Sequence, residues 1–398
     1  MRIGFDGSRS FASWRTGTEN YSYYLLKNLA KIDIENDYFV YLRPSTKIRS
    51  EEWPKNFTFK AINFLYLWTQ VGLGIETFKD NLDLLFIPAH TLPIVRNPRL
   101  KTVLTVHDLG SEYLPGYHQL KQILYLKFIT KIQLKTAIKI IAVSNATKKD
   151  LVEKVGIKEE KIKVIYEGVD REVFKAVKGK MLVNSLRQYN LVSKNFFLFV
   201  GTIQPRKNLE RLIKAFSDVI LRARAPFSEE GSQVRKNSLI DSSPSVQNDS
   251  IKLVLVGDKG WKSDEIYELP KKLGIEGKVK FLGRVEDRDL PALYSGALGL
   301  VYPSLFEGFG LPILEAFSCG CPVLTSNISS LPEVAGEAAI LVDPYNIDAI
   351  RDGMIKLTDN NFRDKLTKKG YLQLNKFSWQ IAAKETLKLF KEVNSGAS

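Results

Sequence analysis

Short apolar runs of strand length alternate along the chain with stretches of helical period. The clearest runs lie in the second half and are apolar almost without interruption, as expected of strands covered by helices on both faces. Apolar strands separated by helices predict a parallel sheet and therefore an α/β fold. The runs are Phe196–Val200, Leu253–Val256, Val279–Leu282, Leu298–Val301 and Val323–Thr325.

The first half of the chain repeats this alternation. A helix beginning near Glu19 follows the first strand, so the chain opens in the strand–loop–helix order of a mononucleotide fold, although without a GxGxxG motif. The predicted strands are Arg2–Phe5, Tyr38–Leu42, Leu84–Ile87, Thr102–Val106 and Ile140–Val143.

The length of 398 residues favours two domains. We expect a first Rossmann-like domain over residues 1–183, a second over 195–375, and a closing amphipathic helix within 376–398. Residues 222–250 interrupt the second domain with a polar, Ser-rich stretch that is too weakly apolar to bury itself. We interpret this stretch as a mobile surface insertion that is dispensable for activity.

Composition narrows the class of protein. Hydrophobic residues make up 44% of the chain, enough for a large core without disulfide bonds. The two cysteines, Cys319 and Cys321, cannot easily bridge each other, which favours a reducing compartment. The sequence shows neither a Cys/His cluster with metal-ligand spacing nor an apolar run of about 20 residues. Because the N-terminus also lacks a signal-peptide core, we expect a cytoplasmic protein.

Positive charge dominates, with a formal net charge of +14. Within a predicted helix from about Leu120 to Ile138, lysines recur at every fourth residue and form one stripe. Such a stripe is commonly a solvated helix face, and the alternative is peripheral docking on anionic lipid headgroups. The lysines are Lys127, Lys131, Lys135 and Lys139.

A loop carrying two cations follows the first strand of the second half. It runs from Gly201 to Asn208, and Asn208 is a natural N-cap for the amphipathic helix that comes next. Arg206 and Lys207 immediately precede that cap, where a helix dipole repels positive charge. We therefore interpret the pair as a binding group for an anion such as a diphosphate, rather than as a solvated surface pair.

A second phosphate-type loop lies later in the chain. Gly308 and Gly310 precede a helix that Pro312 opens, and glycines there let the backbone approach a ligand closely. Glu307 lies at the start of the loop and Glu315 in the predicted first helical turn. A first-turn Glu often serves only the helix dipole. The apolar loop around it makes Glu315 a candidate for holding the two hydroxyls of a ribose.

The stretches GTIQPRKNLERLIKAF and EGFGLPILEAF, in this order and spacing, resemble the retaining, nucleotide-sugar-dependent glycosyltransferases of family 4. The resemblance extends over nearly the whole chain, more loosely in the first half. It implies the GT-B fold, in which two Rossmann-like domains face across a cleft and the last helix crosses back to the first domain. It also implies transfer of a hexose from a nucleotide diphosphate donor to a glycan or lipid-linked glycan, without a metal or other cofactor.

The same resemblance implies roles for single positions. Arg206 and Lys207 would meet the charge of the departing diphosphate, and Glu307 would hold hydroxyls of the transferred sugar. The nucleobase would be read by backbone after the third predicted strand of the second half, and a glycine before the first helix would approach the donor phosphate or the acceptor. The implied donor-binding positions are Gly17, Arg284, Val285, Gly308, Phe309, Gly310, Leu311 and Glu315. Gly17 is equally well explained as a plain helix-entry glycine.

His107 is one of only three histidines and follows the strand Thr102–Val106. A side chain there faces the crevice of an open α/β sheet, although a lone His is more often a core or capping residue. In the family a His at this place contacts the donor sugar, and His107-Asp108-Leu109 resembles mannosyltransferase members. This favours GDP-mannose as donor, with UDP-glucose and UDP-N-acetylglucosamine as alternatives.

Two other classes of protein fit parts of the sequence. A glycoside hydrolase also uses paired carboxylates, but it has no need of an Arg-Lys pair at a helix start. A basic protein that binds nucleic acid fits the net charge, but the sequence carries no recognised nucleic-acid-binding motif. We therefore expect a nucleotide sugar and a glycan acceptor as partners, and no nucleic acid.

Overall fold

The computed structural model describes residues 1–12, 15–44, 46, 48–64, 66–89, 91–109, 131–224 and 251–396. The chain forms two compact units, the first comprising Met1–Gly168 with Phe377–Ser398 and the second Val169–Lys376. Each unit is an α/β sandwich around one parallel sheet, which confirms the predicted fold class. No helix in the described ranges is both long and apolar enough to cross a bilayer.

The first unit ends earlier than residue 183, where we placed the end of the first domain. Residues 169–183 belong to the second unit. Hydrogen bonds hold this segment there: the Ser318 hydroxyl donates to the Phe174 carbonyl, and the Val177 N–H donates to the Ser295 hydroxyl at 3.0 Å. Sequence patterning misses such a boundary because the segment carries no strand signal of its own.

The sheet of the first unit has seven parallel strands in the order β3-β2-β1-β4-β5-β6-β7. The five strands predicted for this half lie within one residue of their predicted bounds. The edge strands β3 and β7 escaped prediction because their sequences, FTFKA and IKV, are short and mix apolar with polar residues. The strands are Arg2–Asp6 (β1), Asp37–Leu42 (β2), Phe57–Ala61 (β3), Leu84–Ile87 (β4), Lys101–Val106 (β5), Lys139–Ala142 (β6) and Ile162–Val164 (β7).

Helix α1 (Gly17–Ile32) begins where the Glu19 carboxylate accepts the Thr16 backbone N–H at 3.2 Å, as in a capping box. The C-terminal helix, Trp379–Ser395, packs on α1, with the Trp379 ring stacked on Tyr24 at 5.7 Å. Other described helical segments of this unit include Gly74–Lys79 (α2), Asn145–Asp150 (α3) and the π-helical turns Trp68–Leu73 and Leu151–Val155.

The predicted lysine stripe is only partly supported. The structure describes a helix over 131–136, and Lys131 and Lys135 on it are exposed. Lys139 instead begins β6, and its ammonium donates to the Glu160 carbonyl at 2.8 Å, so it cannot extend the stripe. Lys127 lies outside the described residues. So does most of the predicted insertion, except that 222–224 continue a helix.

The sheet of the second unit has six parallel strands in the order β10-β9-β8-β11-β12-β13. Five of them are the five apolar runs of the sequence, and β13 was not predicted. The strands are Phe196–Val200 (β8), Lys252–Val256 (β9), Val279–Gly283 (β10), Gly299–Tyr302 (β11), Val323–Ser326 (β12) and Ala339–Val342 (β13). The helices are Gly179–Arg187 (α4), Leu209–Arg224 (α5), Asp264–Lys272 (α6), Leu290–Gly296 (α7), Leu311–Ser318 (α8), Leu331–Ala335 (α9), Ile347–Lys356 (α10) and Asn360–Gln373 (α11).

The strand order places a topological switch point in each sheet. In the second unit the chain runs from β8 outward through β9 to β10, then returns to β11 on the other side of β8 and continues to β13. In the first unit the corresponding reversal separates β1 from β4. Ligands of open α/β sheets bind in the crevice at the carboxyl ends of the strands at such a point.

Candidate active site

The loops after β8 and β11 meet at the switch point of the second unit. The Leu305 N–H donates to the Arg206 carbonyl at 3.0 Å, joining one loop to the other. Asn208, predicted as an N-cap, has a left-handed backbone with φ of 61°. Its amide nitrogen donates to the carbonyls of Pro303 at 3.0 Å and Pro344 at 2.6 Å. Its side chain therefore ties three loops together instead of capping α5.

Arg206 and Lys207 both face Glu307. The Lys207 ammonium lies 2.6 Å from Oε1 of Glu307, and Nη1 of Arg206 lies 3.7 Å from Oε2. The unfavourable position inferred for the two cations is therefore offset by Glu307, a carboxylate far away in the sequence. They also lie in a separate 3₁₀ turn, Pro205–Lys207, and not on the end of α5.

A tyrosine completes this cluster. The Tyr302 hydroxyl, at the end of β11, accepts from the Lys207 ammonium at 2.7 Å and donates to Oε1 of Glu307 at 2.9 Å. Tyr302 is 1% exposed, and its ring stacks on Phe199 of β8 at 5.7 Å. Sequence reasoning missed it, although its position directly after the predicted buried strand Leu298–Val301 was a usable signal.

The cluster keeps a positive charge. Burial by itself raises the pKa of Glu307, but the opposing effect of Lys207 and then Arg206 prevails and lowers that pKa to about 2. Glu307 is therefore ionised near neutral pH, and its negative charge faces the two positive charges of Arg206 and Lys207. Together these three side chains carry a charge of +1, which favours an anionic ligand.

Ser330 holds the loop that leads from Glu307 into α8. The Ser330 hydroxyl lies 2.9 Å from the Glu307 carbonyl and 2.8 Å from the Phe309 carbonyl. Because a trans peptide points its C=O and N–H in opposite directions, the N–H groups of Gly308 and Gly310 point away from Ser330. Gly310 precedes α8 with φ of 117°, a conformation that favours glycine.

Glu315 lies in the second turn of α8, one turn later than predicted, because the helix begins at Leu311 with Pro312 as its second residue. Oε2 of Glu315 accepts the Tyr294 hydroxyl at 2.7 Å. Burial raises the pKa of Glu315 to about 7, and the hydrogen bond from Tyr294 only partly opposes that rise. This carboxyl is therefore protonated more readily than an ordinary glutamate.

The predicted residues of the first unit are arranged differently from our expectation. His107 follows β5, and its Nε2 donates to the Pro88 carbonyl at 2.9 Å while Nδ1 lies 3.1 Å from Oε1 of Glu167. Both ring nitrogens are thus engaged, and a hydrogen bond to a sugar would require one of these contacts to break. Gly17 is the first residue of α1 and has open space where a Cβ would lie.

The sequence matches two families of glycosyltransferases. Residues 15–173 match the family described as Glycosyltransferase Family 4, and residues 185–373 match Glycosyl transferases group 1. O-antigen chain mannosyltransferase B of Escherichia coli is 31% identical over 73% of this chain and 70% of its own length. The chain belongs to the family 4 glycosyltransferases.

This glycosyltransferase is also similar to a second curated relative and to a solved structure. O-antigen chain mannosyltransferase RfbU of Salmonella typhimurium is 30% identical over 66% of the chain, which spans 62% of that relative. The structure of sucrose-phosphate synthase from Thermosynechococcus elongatus matches all of both chains with a TM-score of 0.74 at 19% identity, which shows the GT-B fold.

The two positions predicted to lie at the nucleobase, Arg284 and Val285, are two strands away from the ionic cluster. Arg284 directly follows β10, and its guanidinium pairs with Asp258 after β9 at 2.8 Å. Val285 is buried. The side chain of Arg284 is thus held along the edge of the sheet, at the carboxyl ends of β9 and β10.

Proposed function

We propose that this glycosyltransferase moves mannose from GDP-mannose to a glycan or lipid-linked glycan, with retention at the anomeric carbon and without a metal. The observation that carries the proposal is the cluster of Arg206, Lys207 and Glu307 at the switch point, beside the start of α8. The relatives named mannosyltransferases and the sequence His107-Asp108-Leu109 support mannose as the sugar.

The leaving diphosphate is where negative charge develops as the glycosidic bond breaks. Arg206, Lys207 and the N-terminal end of α8 would meet that charge, so their effect is larger in the transition state than in the ground state. Two fixed cations supply the charge that a divalent metal supplies in other transferases, which is why the proposal needs no metal.

The two carboxylates, Glu307 and Glu315, would bind different hydroxyl groups of the donor. Glu307, ionised and held by Tyr302 and Lys207, is suited to accept hydrogen bonds from hydroxyls of the transferred sugar, with N–H groups of Phe309 and Gly310 assisting. Glu315 in its ionised form is suited to accept both ribose hydroxyls.

Retention follows if the acceptor attacks on the face from which the diphosphate departs. The bond between C1 and the diphosphate oxygen breaks, a bond from the acceptor oxygen to C1 forms, and the acceptor proton passes to the departing phosphate oxygen. The charge on that phosphate makes it the base, so no further side chain is required for this step.

A thermal-shift screen of the full chain with GDP, UDP and ADP tests the donor. We expect the largest stabilisation from GDP, because binding to the folded state alone raises the melting temperature. Transfer from GDP-mannose in the presence of EDTA, with NMR of the product anomeric proton, tests metal independence and retention. A larger shift from UDP would replace GDP-mannose by UDP-glucose or UDP-N-acetylglucosamine, and a β-linked product would exclude retention.

We also propose a peripheral contact with anionic membranes through the exposed Lys131 and Lys135, with Lys127 of the same predicted stripe. Each cation near an anionic surface contributes about 1 kcal/mol. Sedimentation with vesicles containing phosphatidylglycerol should retain the protein, and Lys131→Gln with Lys135→Gln should weaken retention. Equal binding to vesicles of phosphatidylcholine alone would reject this contact.

A further inference from the structure

The first unit has its own switch point, between β1 and β4, and the last residue of β1 is Asp6. Its side chain therefore starts from the edge of the sheet where ligands of such folds bind. In the proposed function the second unit binds the diphosphate of the donor, and no residue is yet assigned to the acceptor saccharide. The role inferred for Asp6 rests on that proposed function.

Asp6 is almost completely buried, with 6% of its surface exposed. Its Oδ1 accepts the Ser8 backbone N–H at 3.0 Å. Within the described ranges no cation lies close enough to form an ion pair with it, since Arg9 pairs with Glu19 instead at 2.8 Å. Burial raises the pKa of Asp6, and Ser8, Arg9 and Arg43 only partly oppose that effect. A buried carboxylate without an ion pair is costly.

A purely structural role does not need this charge. The bond from the Ser8 N–H closes an Asx turn, which an asparagine closes equally well. The backbone that follows is fixed independently: the Gly7 N–H donates to the Tyr41 carbonyl at 2.9 Å, and a Cβ on Gly7 would lie 2.6 Å from the Val40 side chain. The carboxylate is thus held on rigid backbone, as a binding group should be.

The neighbouring groups at this edge are already engaged. The Pro88 carbonyl after β4 accepts from His107, and His107 also contacts Glu167. Neighbouring strands are about 4.8 Å apart, so the carboxyl ends of β1 and β5 are about 10 Å apart, wide enough for one pyranose ring. Asp6 is a carboxylate at this edge, whereas the ring nitrogens of His107 contact the Pro88 carbonyl and Glu167 instead.

We propose that Asp6 accepts a hydrogen bond from a hydroxyl of the acceptor saccharide and thereby positions it. A hydrogen bond to a carboxylate is stronger than one between neutral groups. A saccharide can form such a bond because it offers hydroxyl donors on every side. The assignment concerns binding of the acceptor and involves no bond to the donor.

The test variant is Asp6→Asn in the full chain, because asparagine keeps the turn with Ser8 and removes only the charge. The matched control is Asp37→Asn, an exposed residue at the amino end of β2, on the opposite edge of the same sheet. With methyl α-D-mannopyranoside as acceptor, we expect Asp6→Asn to raise the acceptor KM about tenfold, the lower end of the range for one charged hydrogen bond. The KM for GDP-mannose and its slow hydrolysis without acceptor should stay unchanged.

Saturation-transfer NMR with methyl α-D-mannopyranoside alone separates this inference from the proposed function, since it needs neither donor nor turnover. Loss of the signal in Asp6→Asn but not in Asp37→Asn supports the inference even if GDP-mannose proves to be the wrong donor. An unchanged signal, or none from the parent chain, overturns it. Should Asp6→Asn melt early, Asp6→Glu keeps the charge, displaces the carboxylate by one methylene and is expected to raise the acceptor KM alone.

Discussion

Replacing Lys207 by methionine separates the two roles of the ionic cluster. The pKa of Glu307 lies at about 2 against an ordinary value of 4.5, and Lys207 is the largest of the contacts that lower it. A shift of this size corresponds to about 3 kcal/mol of interaction with the ionised carboxylate. Methionine keeps the volume of the stem but leaves a buried carboxylate with Arg206 at 3.7 Å and the hydroxyl of Tyr302.

We expect Lys207→Met to lower the free energy of unfolding by about 3 kcal/mol at pH 7, since breaking one side of a buried pair strands the other. The sign follows from the lowered pKa of Glu307. Its stabilisation is present above the unfolded value of 4.5 and is lost as the pH falls from 4.5 towards 2. Urea unfolding at pH 7 and pH 3 should show that the parent loses more of its stability over this interval than the variant does.

We expect Lys207→Met to lower catalytic activity in addition to the free energy of unfolding. One charged hydrogen bond to the departing diphosphate is worth about 1.5–3 kcal/mol, so kcat/KM for GDP-mannose should fall roughly ten- to a hundredfold. The matched control is Lys194→Met, because Lys194 is a half-buried lysine at the amino edge of the same sheet. Its ammonium donates to the carbonyls of Ser295 at 2.9 Å and Ala297 at 2.8 Å.

Steady-state kinetics at a temperature where both variants remain folded decides the question. The control should lose stability and keep its kcat/KM. If Lys207→Met retained kcat/KM within about threefold of the parent, the ammonium would contribute far less than one charged hydrogen bond, and its place at the diphosphate would be untenable.

Three further predictions concern the same unit. Tyr302→Phe removes the hydroxyl between Lys207 and Glu307 and should lower kcat/KM about tenfold with CD melting little changed, and an unaltered kcat/KM would make the hydroxyl purely structural. Because the pKa of Glu315 is raised to about 7, the donor KM should fall as the pH rises from 6 to 8, and Glu315→Gln should abolish that trend. Gly310→Ala, at φ of 117°, should lower the melting temperature and raise the donor KM, whereas Gly277→Ala, with open space and an ordinary φ, should lower neither affinity nor stability by a comparable amount.

Most of each sheet could be predicted from the sequence because buried parallel strands are continuously apolar. Phe196–Val200 and Leu84–Ile87 have the predicted bounds. The edge strands β3, β7 and β13 could not, since their sequences carry polar or half-exposed residues and lose the apolar signal. The strand order, and with it the location of both switch points, is a long-range property that no local pattern contains.

The candidate site was predicted residue by residue but not in its contacts. Arg206 and Lys207 were noticed because two cations beside a predicted helix start are unfavourable locally. The resolution of that conflict, a carboxylate a hundred residues away, requires the strand pairing of β8 with β11. Tyr302 was overlooked because an aromatic residue in an apolar strand looks like ordinary core until a partner for its hydroxyl is known.

The resting cluster also explains how a buried cationic site remains stable before its ligand arrives. Without Glu307, Lys207 would be desolvated next to Arg206, and both charges would oppose folding. With Glu307 the pair is balanced to a net charge of +1, which is enough to attract a diphosphate and little enough to bury. In the proposed reaction the diphosphate then competes with Glu307 for the same two cations. Each hydrogen bond that the cations shift to the phosphates frees Glu307 to accept hydroxyls of the sugar, so binding of the diphosphate and orientation of the hexose are coupled through Lys207.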